Sequence, residues 1–202
     1  MILEHDTDGK FFRLDNLVIS QNLKNRVIDI SKKYKTDFRY YGKLRRRLYM
    51  YRLDIDSCPE INEIYQKFVN PNVVDSVEIM LCEPGCVLVP HTDTDRYAAI
   101  NIPISGNFDK SFLSFFKPNS SGKVNTTHQK NTGSAAHSPG TFYENPQQDG
   151  TVYYQYPICI NVETVHNASN AGNDNRILLS VGTSTVKFSE LEKLHRENNL
   201  LV

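Results

Sequence analysis

Four residues combine side-chain types and spacing that suit a reactive metal site. His91 and Asp93 form a His-x-Asp pair at the end of an apolar segment. His166 lies far downstream, and Arg176 begins another apolar segment shortly after it. Two imidazoles and one carboxylate suit iron(II) and leave coordination positions open for substrate and oxygen. The arginine adds a fixed cation for a carboxylate-bearing co-substrate, so the set favours oxygenase chemistry.

The strands around these residues predict how the side chains converge. Alternate residues of a strand point to the same face, so His91 and Asp93 are expected to reach one metal together. Arg176 and Ser180 share strand parity, and both are expected to face the interior. A buried arginine without a partner is costly there, and a bound carboxylate would remove that cost.

Short apolar or alternating runs separated by turn residues predict a mainly β protein. The runs lie at 77–81, 86–89, 97–104, 112–116, 151–156, 158–165 and 177–186. Seven or eight such strands with Gly, Pro and Asn between them indicate a sandwich or jelly roll. The stretch after His166, from Asn167 to Asn173, is predicted as a turn. Because no helical stretches alternate with the strands, a doubly wound α/β fold is disfavoured.

Three helices are predicted to flank the strands. The first begins after an N-cap at Ser20 and ends near Thr36, and the second begins at Pro59. A terminal helix is predicted from a capping box formed by Ser189 and Glu192. The apolar stripes are Leu23, Val27, Ile30 and Tyr34 in the first helix, Ile61, Ile64, Tyr65 and Phe68 in the second, and Leu191 and Leu194 in the third.

Two segments are candidate walls of a substrate cleft. Residues 117–140 are almost entirely polar, which indicates a disordered insertion or a mobile loop over a site. Residues 40–52 interleave tyrosines with arginines and a lysine, a pattern that suits an anionic substrate but also an ordinary solvated surface.

Composition excludes several classes of function. Lysine plus arginine equals aspartate plus glutamate, 23 each, which gives no footing for nucleic-acid or membrane binding. The N-terminal residues do not resemble a secretory signal, and the four cysteines show neither C-x-x-C nor zinc-ribbon spacing. A cytoplasmic protein with reduced thiols is therefore expected.

The residues around the four site positions resemble a known enzyme family. The stretches PHTDTDRYAAINIPI and VHNASNAGNDNRILLSVG are similar to iron(II)- and 2-oxoglutarate-dependent oxygenases, in particular small stand-alone prolyl-hydroxylase-like and aspartyl-hydroxylase-like members. The resemblance covers residues 75–187 and implies a double-stranded β-helix, a cupin-like jelly roll. It also implies a hydroxylase that uses 2-oxoglutarate and O2, releases succinate and CO2, and employs ascorbate as a reductant.

The resemblance assigns roles residue by residue. His91, Asp93 and His166 would bind the catalytic iron, and Arg176 would pair with the distal carboxylate of 2-oxoglutarate. Many relatives have a serine or threonine two residues after that arginine, where this chain has Leu178.

Further co-substrate contacts are predicted less directly. Ser180 is a candidate replacement for the missing hydroxyl at position 178. Arg96 and Asn101 lie where relatives often carry polar residues near the co-substrate. Asp95 is an alternative to Asp93 as the carboxylate ligand.

These observations predict one oxygenase domain over residues 1–202. It would comprise a mixed helical flank at 1–74, a jelly-roll core at 75–187 and a terminal helix at 188–202. A cupin-like binding module without oxygenase activity is the main alternative, and a zinc hydrolase with Asp95 as general base is a third. The primary substrate, whether a protein side chain, an amino acid or a small metabolite, and the oligomeric state stay open.

Overall fold

The computed structural model describes residues 8–37, 39–41, 50–54, 57–88, 90–93, 95–118, 124–127, 140–143 and 145–202. Side-chain surroundings are described for these residues except 39–41, 50–52, 124–127 and 140–143. Within these ranges the chain is mainly β, as predicted. The strands are Phe11–Arg13 (β1), Arg39–Tyr41 (β2), Met50–Asp54 (β3), Ser76–Cys82 (β4), Cys86–Val87 (β5), Ala98–Ser105 (β6), Ser111–Lys117 (β7), Val124–Thr127 (β8), Gly140–Tyr143 (β9), Gln147–Tyr153 (β10), Ile158–Asn161 (β11), His166–Asn170 (β12) and Arg176–Thr183 (β13).

The strands form two facing antiparallel sheets and a separate hairpin. The larger sheet has the order β1-β11-β6-β13-β4-β3-β2, and the smaller one has the order β10-β7-β12-β5. Among the described residues, β8 and β9 pair with each other and with no further strand. Apolar side chains from both sheets meet in one cluster, which includes Met80, Leu113, Phe115, Ile160 and Leu178. This arrangement is the predicted double-stranded β-helix.

A second apolar core covers the outer face of the larger sheet. Helix α1 (Gln21–Lys33) contributes Val27 and Ile30, and α3 (Phe188–Arg196) contributes Phe188 and Leu191. The sheet contributes alternate residues of its strands to this core, because successive side chains of a strand point to opposite faces. These outward-facing residues include Val77, Ile79, Ile100, Ile102, Leu179 and Val181.

The predicted helices form, although their ends differ from expectation. The Ser20 side chain accepts a hydrogen bond from the Leu23 backbone N–H at 3.2 Å, which confirms the predicted cap of α1. The second helix is short, a 3-10 turn at Pro59–Ile61 followed by α2 (Asn62–Tyr65). The predicted capping box of the terminal helix is not formed, so that prediction was wrong. Its N-cap is Lys187, which makes no side-chain capping bond.

Two expectations about local structure are corrected. Residues 1–74 are not only a helical flank, since β1, β2 and β3 extend the larger sheet at both of its edges. The segment predicted as a turn from Asn167 to Asn173 is one only in its second part, since His166–Asn170 forms β12 between β7 and β5 and residues 171–175 connect it to β13. Its buried Asn170 fits a strand because its side chain donates to the carbonyls of Cys82, Glu83 and Asp174.

The two candidate cleft segments are only partly described. Within the polar segment at 117–140, the described pieces include β8 and the first residue of β9, and residues 119–123 and 128–139 lie outside the described ranges. Within the Tyr/Arg-rich segment, β2 pairs with β3, and residues 42–49 lie outside them. Their role as substrate walls stays a prediction.

Candidate metal centre

Backbone pairing brings the two histidines together. The His91 N–H donates to the His166 carbonyl, and the His166 N–H donates to the His91 carbonyl, both at 2.9 Å. The Asp93 N–H donates to the Val162 carbonyl at 3.0 Å. His91 thus lies in one isolated bridge, and Asp93 in irregular backbone, rather than both in a continuous strand as expected. The convergence comes from contacts with the chain around His166.

The three side chains converge on a common point. The Asp93 Oδ1 atom lies 3.4 Å from the His91 Nε2 atom and 3.8 Å from the His166 Nε2 atom. One ligand atom from each residue lies within 4.8 Å of the others, and this group could hold a metal ion. Two imidazole nitrogens and one carboxylate oxygen on one side of an ion leave its other positions open. Among the described residues, Asp95 is not part of this group.

His166 is held in the form that binds metals. Its Nδ1 atom lies 2.8 Å from the Thr164 carbonyl oxygen, which can only accept, so Nδ1 carries the proton. The Nε2 lone pair is then directed at the cluster. Burial and the neighbouring His91 lower the pKa of His166 to about 4, so the ring is neutral at physiological pH. A neutral imidazole fixed through its second nitrogen is the usual state of a histidine ligand.

Asp93 is a buried carboxylate that stays charged. Burial by itself raises its pKa, but Arg96, together with His91 and His166, holds the pKa well below its usual range. The Arg96 Nε–H donates to the Asp93 Oδ2 atom at 2.5 Å. The Oδ1 atom therefore faces the two histidines while the Oδ2 atom is engaged by the guanidinium.

Arg176 is a buried cation of the same region. It is 1% exposed, its Nη1 donates to the Ser169 carbonyl at 3.0 Å, and its Nη2 lies 2.7 Å from the Cys82 Sγ atom. The guanidinium carbon lies 4.9 Å from the centre of the Tyr154 ring. The Nε–H has no hydrogen-bond partner, and no described carboxylate forms an ion pair with this side chain. Among the described residues, Arg176 thus has an acidic thiol but no carboxylate beside it, and its Nε–H is an unused donor.

One cavity between the sheets joins the histidine–aspartate cluster to Arg176. Its volume is about 40 Å³, enough for roughly three water molecules at 10–15 Å³ each. Seven of its thirteen lining residues carry polar or charged groups and six are apolar, so polar groups converge within a partly apolar wall. The lining residues are Met80, Leu88, His91, Asp93, Arg96, Asn101, Leu113, Tyr154, Ile160, His166, Ala168, Arg176 and Leu178.

The less direct candidates occupy different places. Asn101 lines the cavity, and its buried Oδ1 atom has no hydrogen-bond partner. Leu178 lines it as well. Ser180 is fully buried but outside the lining, and its Oγ accepts from Arg96 Nη1 at 3.2 Å. Arg96 lines the cavity with its guanidinium bound to Asp93. The binding roles of all these residues stay predictions.

Sequence reasoning missed three residues of the site. Tyr154 lies under Arg176, and burial raises the pKa of its hydroxyl to about 12. Cys82 meets Arg176 because β4 and β13 pair in that register. Thr164 fixes the proton of His166 through its backbone. The sequence carries no signal for any of the three, because a cysteine or tyrosine in an apolar strand has the pattern of a core residue.

Comparisons with known proteins return weak structural likenesses only. No family model matches the chain, and no curated protein matches it. The non-heme alpha ketoglutarate dependent carbocyclase SnoK from nogalamycin biosynthesis is 11% identical, with a TM-score of 0.48 over 92% of this chain and 86% of that one. The epimerase SnoN, solved with Fe3+, alpha ketoglutarate and nogalamycin RO, is 9% identical, with a TM-score of 0.49 over 85% and 77%.

A further structural likeness is to an enzyme with a different activity. The oxalate decarboxylase of Lactobacillus farciminis, solved as a formate complex, is 15% identical, with a TM-score of 0.35 over 76% of this chain and 33% of that one. The fold assignment rests on the strand order and registers of this chain. No helix of the described residues is long and apolar enough to cross a membrane.

Proposed function

We propose that this chain is an iron(II)- and 2-oxoglutarate-dependent oxygenase that hydroxylates a substrate still to be identified. The observation that carries the proposal is Arg176, a fully buried guanidinium without a carboxylate partner, in the same cavity as a His-Asp-His cluster. Bound iron(II) and 2-oxoglutarate would together supply the oxidation by O2, with succinate and CO2 as co-products and ascorbate as a reductant.

The residues present fit an iron(II) ion. His91, Asp93 and His166 offer two imidazole nitrogens and one carboxylate oxygen, a set that suits iron and retains open positions. His166 has its outer nitrogen bonded to a carbonyl, and Asp93 has its outer oxygen bonded to a guanidinium. Such partners fix the orientation of ligands before a metal arrives.

The residues around Arg176 fit a carboxylate of the co-substrate. An incoming carboxylate would give the unused Nε–H an acceptor and would compensate a charge that is expensive to bury alone. The Tyr154 ring and the Ser169 carbonyl hold the guanidinium in place for this contact. The apolar residues Leu178 and Ile160 line the cavity and limit the water that could compete for the cation.

The main alternative is a cupin-like module that binds a metal or ligand without oxygen chemistry. It uses the same fold and the same three ligands, but it gives no role to a buried arginine without an acid. A zinc hydrolase is the third candidate, since zinc also accepts nitrogen and oxygen ligands. Asp95, its suggested base, does not line the cavity that contains the ligand cluster.

The test is the turnover of 2-oxoglutarate. Protein loaded with iron(II) without oxygen and then exposed to O2 is expected to form succinate, slowly even without a primary substrate. Asp93→Ala is expected to abolish turnover, and Arg176→Met is expected to weaken 2-oxoglutarate binding about 100-fold or more because a buried charge pair is lost. Arg26→Met, at an exposed ion pair with Glu63, is the matched control and keeps wild-type turnover.

Two results would contradict the proposal. One is a protein that neither binds nor consumes 2-oxoglutarate when iron-loaded. The other is a protein that retains zinc against chelators and gains no activity from iron, which would favour the module or the hydrolase.

A further inference from the structure

Arg96 differs from Arg176 in every polar contact that it makes. Its Nε–H donates to Asp93 Oδ2, and its Nη1 donates to Ser180 Oγ at 3.2 Å. Its Nη1 also lies 4.0 Å from Glu78 Oε2. The side chain is thus bonded to one carboxylate and one hydroxyl and lies near a second carboxylate, whereas Arg176 has no carboxylate partner among the described residues.

The aliphatic part of the Arg96 side chain packs against the backbone of Gly182. A Cβ atom at Gly182 would lie 2.9 Å from the Arg96 Cδ and 2.6 Å from the Ser76 Oγ, closer than real Cβ atoms approach other groups. Gly182 lies on β13, between its partners Ser76 on β4 and Ala99 on β6. The absence of a side chain at position 182 therefore leaves the space that the aliphatic part of Arg96 occupies.

We propose that Arg96 is the positioning residue of the metal centre, that Gly182 admits it, and that it does not bind the co-substrate. The inference rests on the proposed function, because it assigns Asp93 as a metal ligand. Arg96 fixes Asp93 through the oxygen that faces away from the histidines and so leaves Oδ1 directed at the ion. Contacts with Ser180 and Glu78 on neighbouring strands anchor the guanidinium at its other end.

The alternative role for Arg96 is a contact with the carboxylate of 2-oxoglutarate. The distribution of charge disfavours it. Arg96 already faces Asp93 and lies near Glu78, so a third anion there would meet repulsion from both. Arg176 offers an unused donor and no competing acid.

The test measures metal binding without 2-oxoglutarate and without O2. Cobalt(II) is the probe, followed by its visible absorption, which reports the ligand arrangement as well as the affinity. Arg96→Met is expected to weaken cobalt(II) binding 10- to 100-fold, as removal of a ligand's outer partner generally does, and to change the spectrum. Arg96→Lys is expected to restore little, because an ammonium group lacks the fork that spans two partners. Arg26→Met is the matched control and is expected to bind cobalt(II) as the wild type does.

Gly182→Ala tests the same inference with Arg96 still present. It is expected to weaken cobalt(II) binding and change the spectrum in the same direction as Arg96→Met. Ser76→Ala alone is expected to change neither. The double variant Gly182→Ala/Ser76→Ala removes the contact with Ser76 and leaves the one with Arg96, so it is expected to stay impaired. Gly182→Ala and the double variant therefore test the role of Arg96 even if Arg96→Met does not fold.

A second measurement separates positioning from co-substrate binding. At saturating manganese(II), the affinity of Arg96→Met for 2-oxoglutarate is expected to stay within about threefold of wild type, whereas Arg176→Met loses it. Unchanged cobalt(II) affinity and spectrum in Arg96→Met and Gly182→Ala would overturn the inference and leave the proposed function intact. Loss of 2-oxoglutarate binding in Arg96→Met at full metal occupancy would also overturn it. A wild-type protein that binds neither metal would instead refute the proposed function.

Discussion

Two arginines lie in one cavity, and their partners separate their roles. Arg96 compensates Asp93, so its charge is already used within the protein. Arg176 is held by a carbonyl, a sulfur atom and an aromatic ring, none of which is a carboxylate. A buried charge is costly unless it is paired, and this is the physical ground for proposing a carboxylate ligand at the second arginine. Residue type alone did not distinguish the two, since both were predicted to contact the co-substrate.

The titration of His166 predicts how the metal-free protein responds to acid. Its pKa is about 4 when folded, below the ordinary value of 6.5. Between these values the unfolded chain binds a proton that the folded protein does not, so stability present above pH 6.5 is lost as the pH falls toward 4. The loss should reach at most about 3 kcal/mol.

Urea unfolding of metal-free protein between pH 4.5 and 7 measures this loss. His166→Gln is expected to be less stable at pH 7 but to lose less stability in acid than wild type. An unchanged slope in His166→Gln would show that another group is responsible. Asp93 titrates below this window, since its pKa lies well below 3.8.

At the level of elements, the end of β6 and the turn that follows it support the backbone of Arg176. The pairing of β6 with β13 shifts register between Ile177 and Leu178, next to Pro103. Proline has no N–H to donate, and within sheets it is tolerated at such irregularities. Gly106 is the first residue after β6, with φ at +131°. A Cβ atom there would lie 3.0 Å from the Arg176 Cα. Backbone therefore packs on backbone at the base of the arginine.

Gly106→Ala is expected to reduce both stability and 2-oxoglutarate binding. Its φ is nearly exclusive to glycine, with a cost of about 1–3 kcal/mol, and the added methyl group pushes on the backbone of Arg176. Thermal unfolding and a 2-oxoglutarate titration of manganese-loaded protein measure the two effects.

Gly85→Ala is the matched control for this prediction. Gly85 also has a positive φ, +77°, but a Cβ there meets nothing within 4 Å. It should lose stability through backbone strain alone and bind 2-oxoglutarate normally. Equal effects of the two variants on binding would contradict the role assigned to Gly106.

For the whole molecule, two apolar cores share the larger sheet. The outer core joins the sheet to the helices, and the inner core lies between the sheets and around the cavity. Ile64 lies in the outer core, and Phe115 lies in the inner core. Phe115 pairs in register with His166, so the packing of the inner core is continuous with the metal centre.

Truncation in either core is expected to destabilise the protein, but only one should affect metal binding. Ile64→Ala should cost about 2–5 kcal/mol and Phe115→Ala about 3–5 kcal/mol. We expect one cooperative unfolding transition in both, because the same strands carry both cores. Cobalt(II) affinity should fall in Phe115→Ala and stay unchanged in Ile64→Ala. Equal affinities would show that the inner core does not support the ligands.

The sequence by itself determined the candidate ligands, the arginine and most strands of residues 75–187. Strand and helix periodicity is local, since it records which face of an element is buried. Val77, Ile79 and Leu81 therefore indicated β4, and Ser20 indicated the start of α1. The identity of His91 and His166 as a pair required only their types and the strands near them.

Only the tertiary structure decided what depends on partners distant in sequence. Ser180 meets Arg96 across 84 positions, and Cys82 meets Arg176 across 94. The strand β12 forms because β7 and β5 pair with a polar segment that has turn-like composition. Such pairings depend on register between strands, and a shift of one residue would turn every side chain to the other face. Local composition does not encode that register, so only the structure separates the arginine bonded to Asp93 from the arginine without a described carboxylate partner.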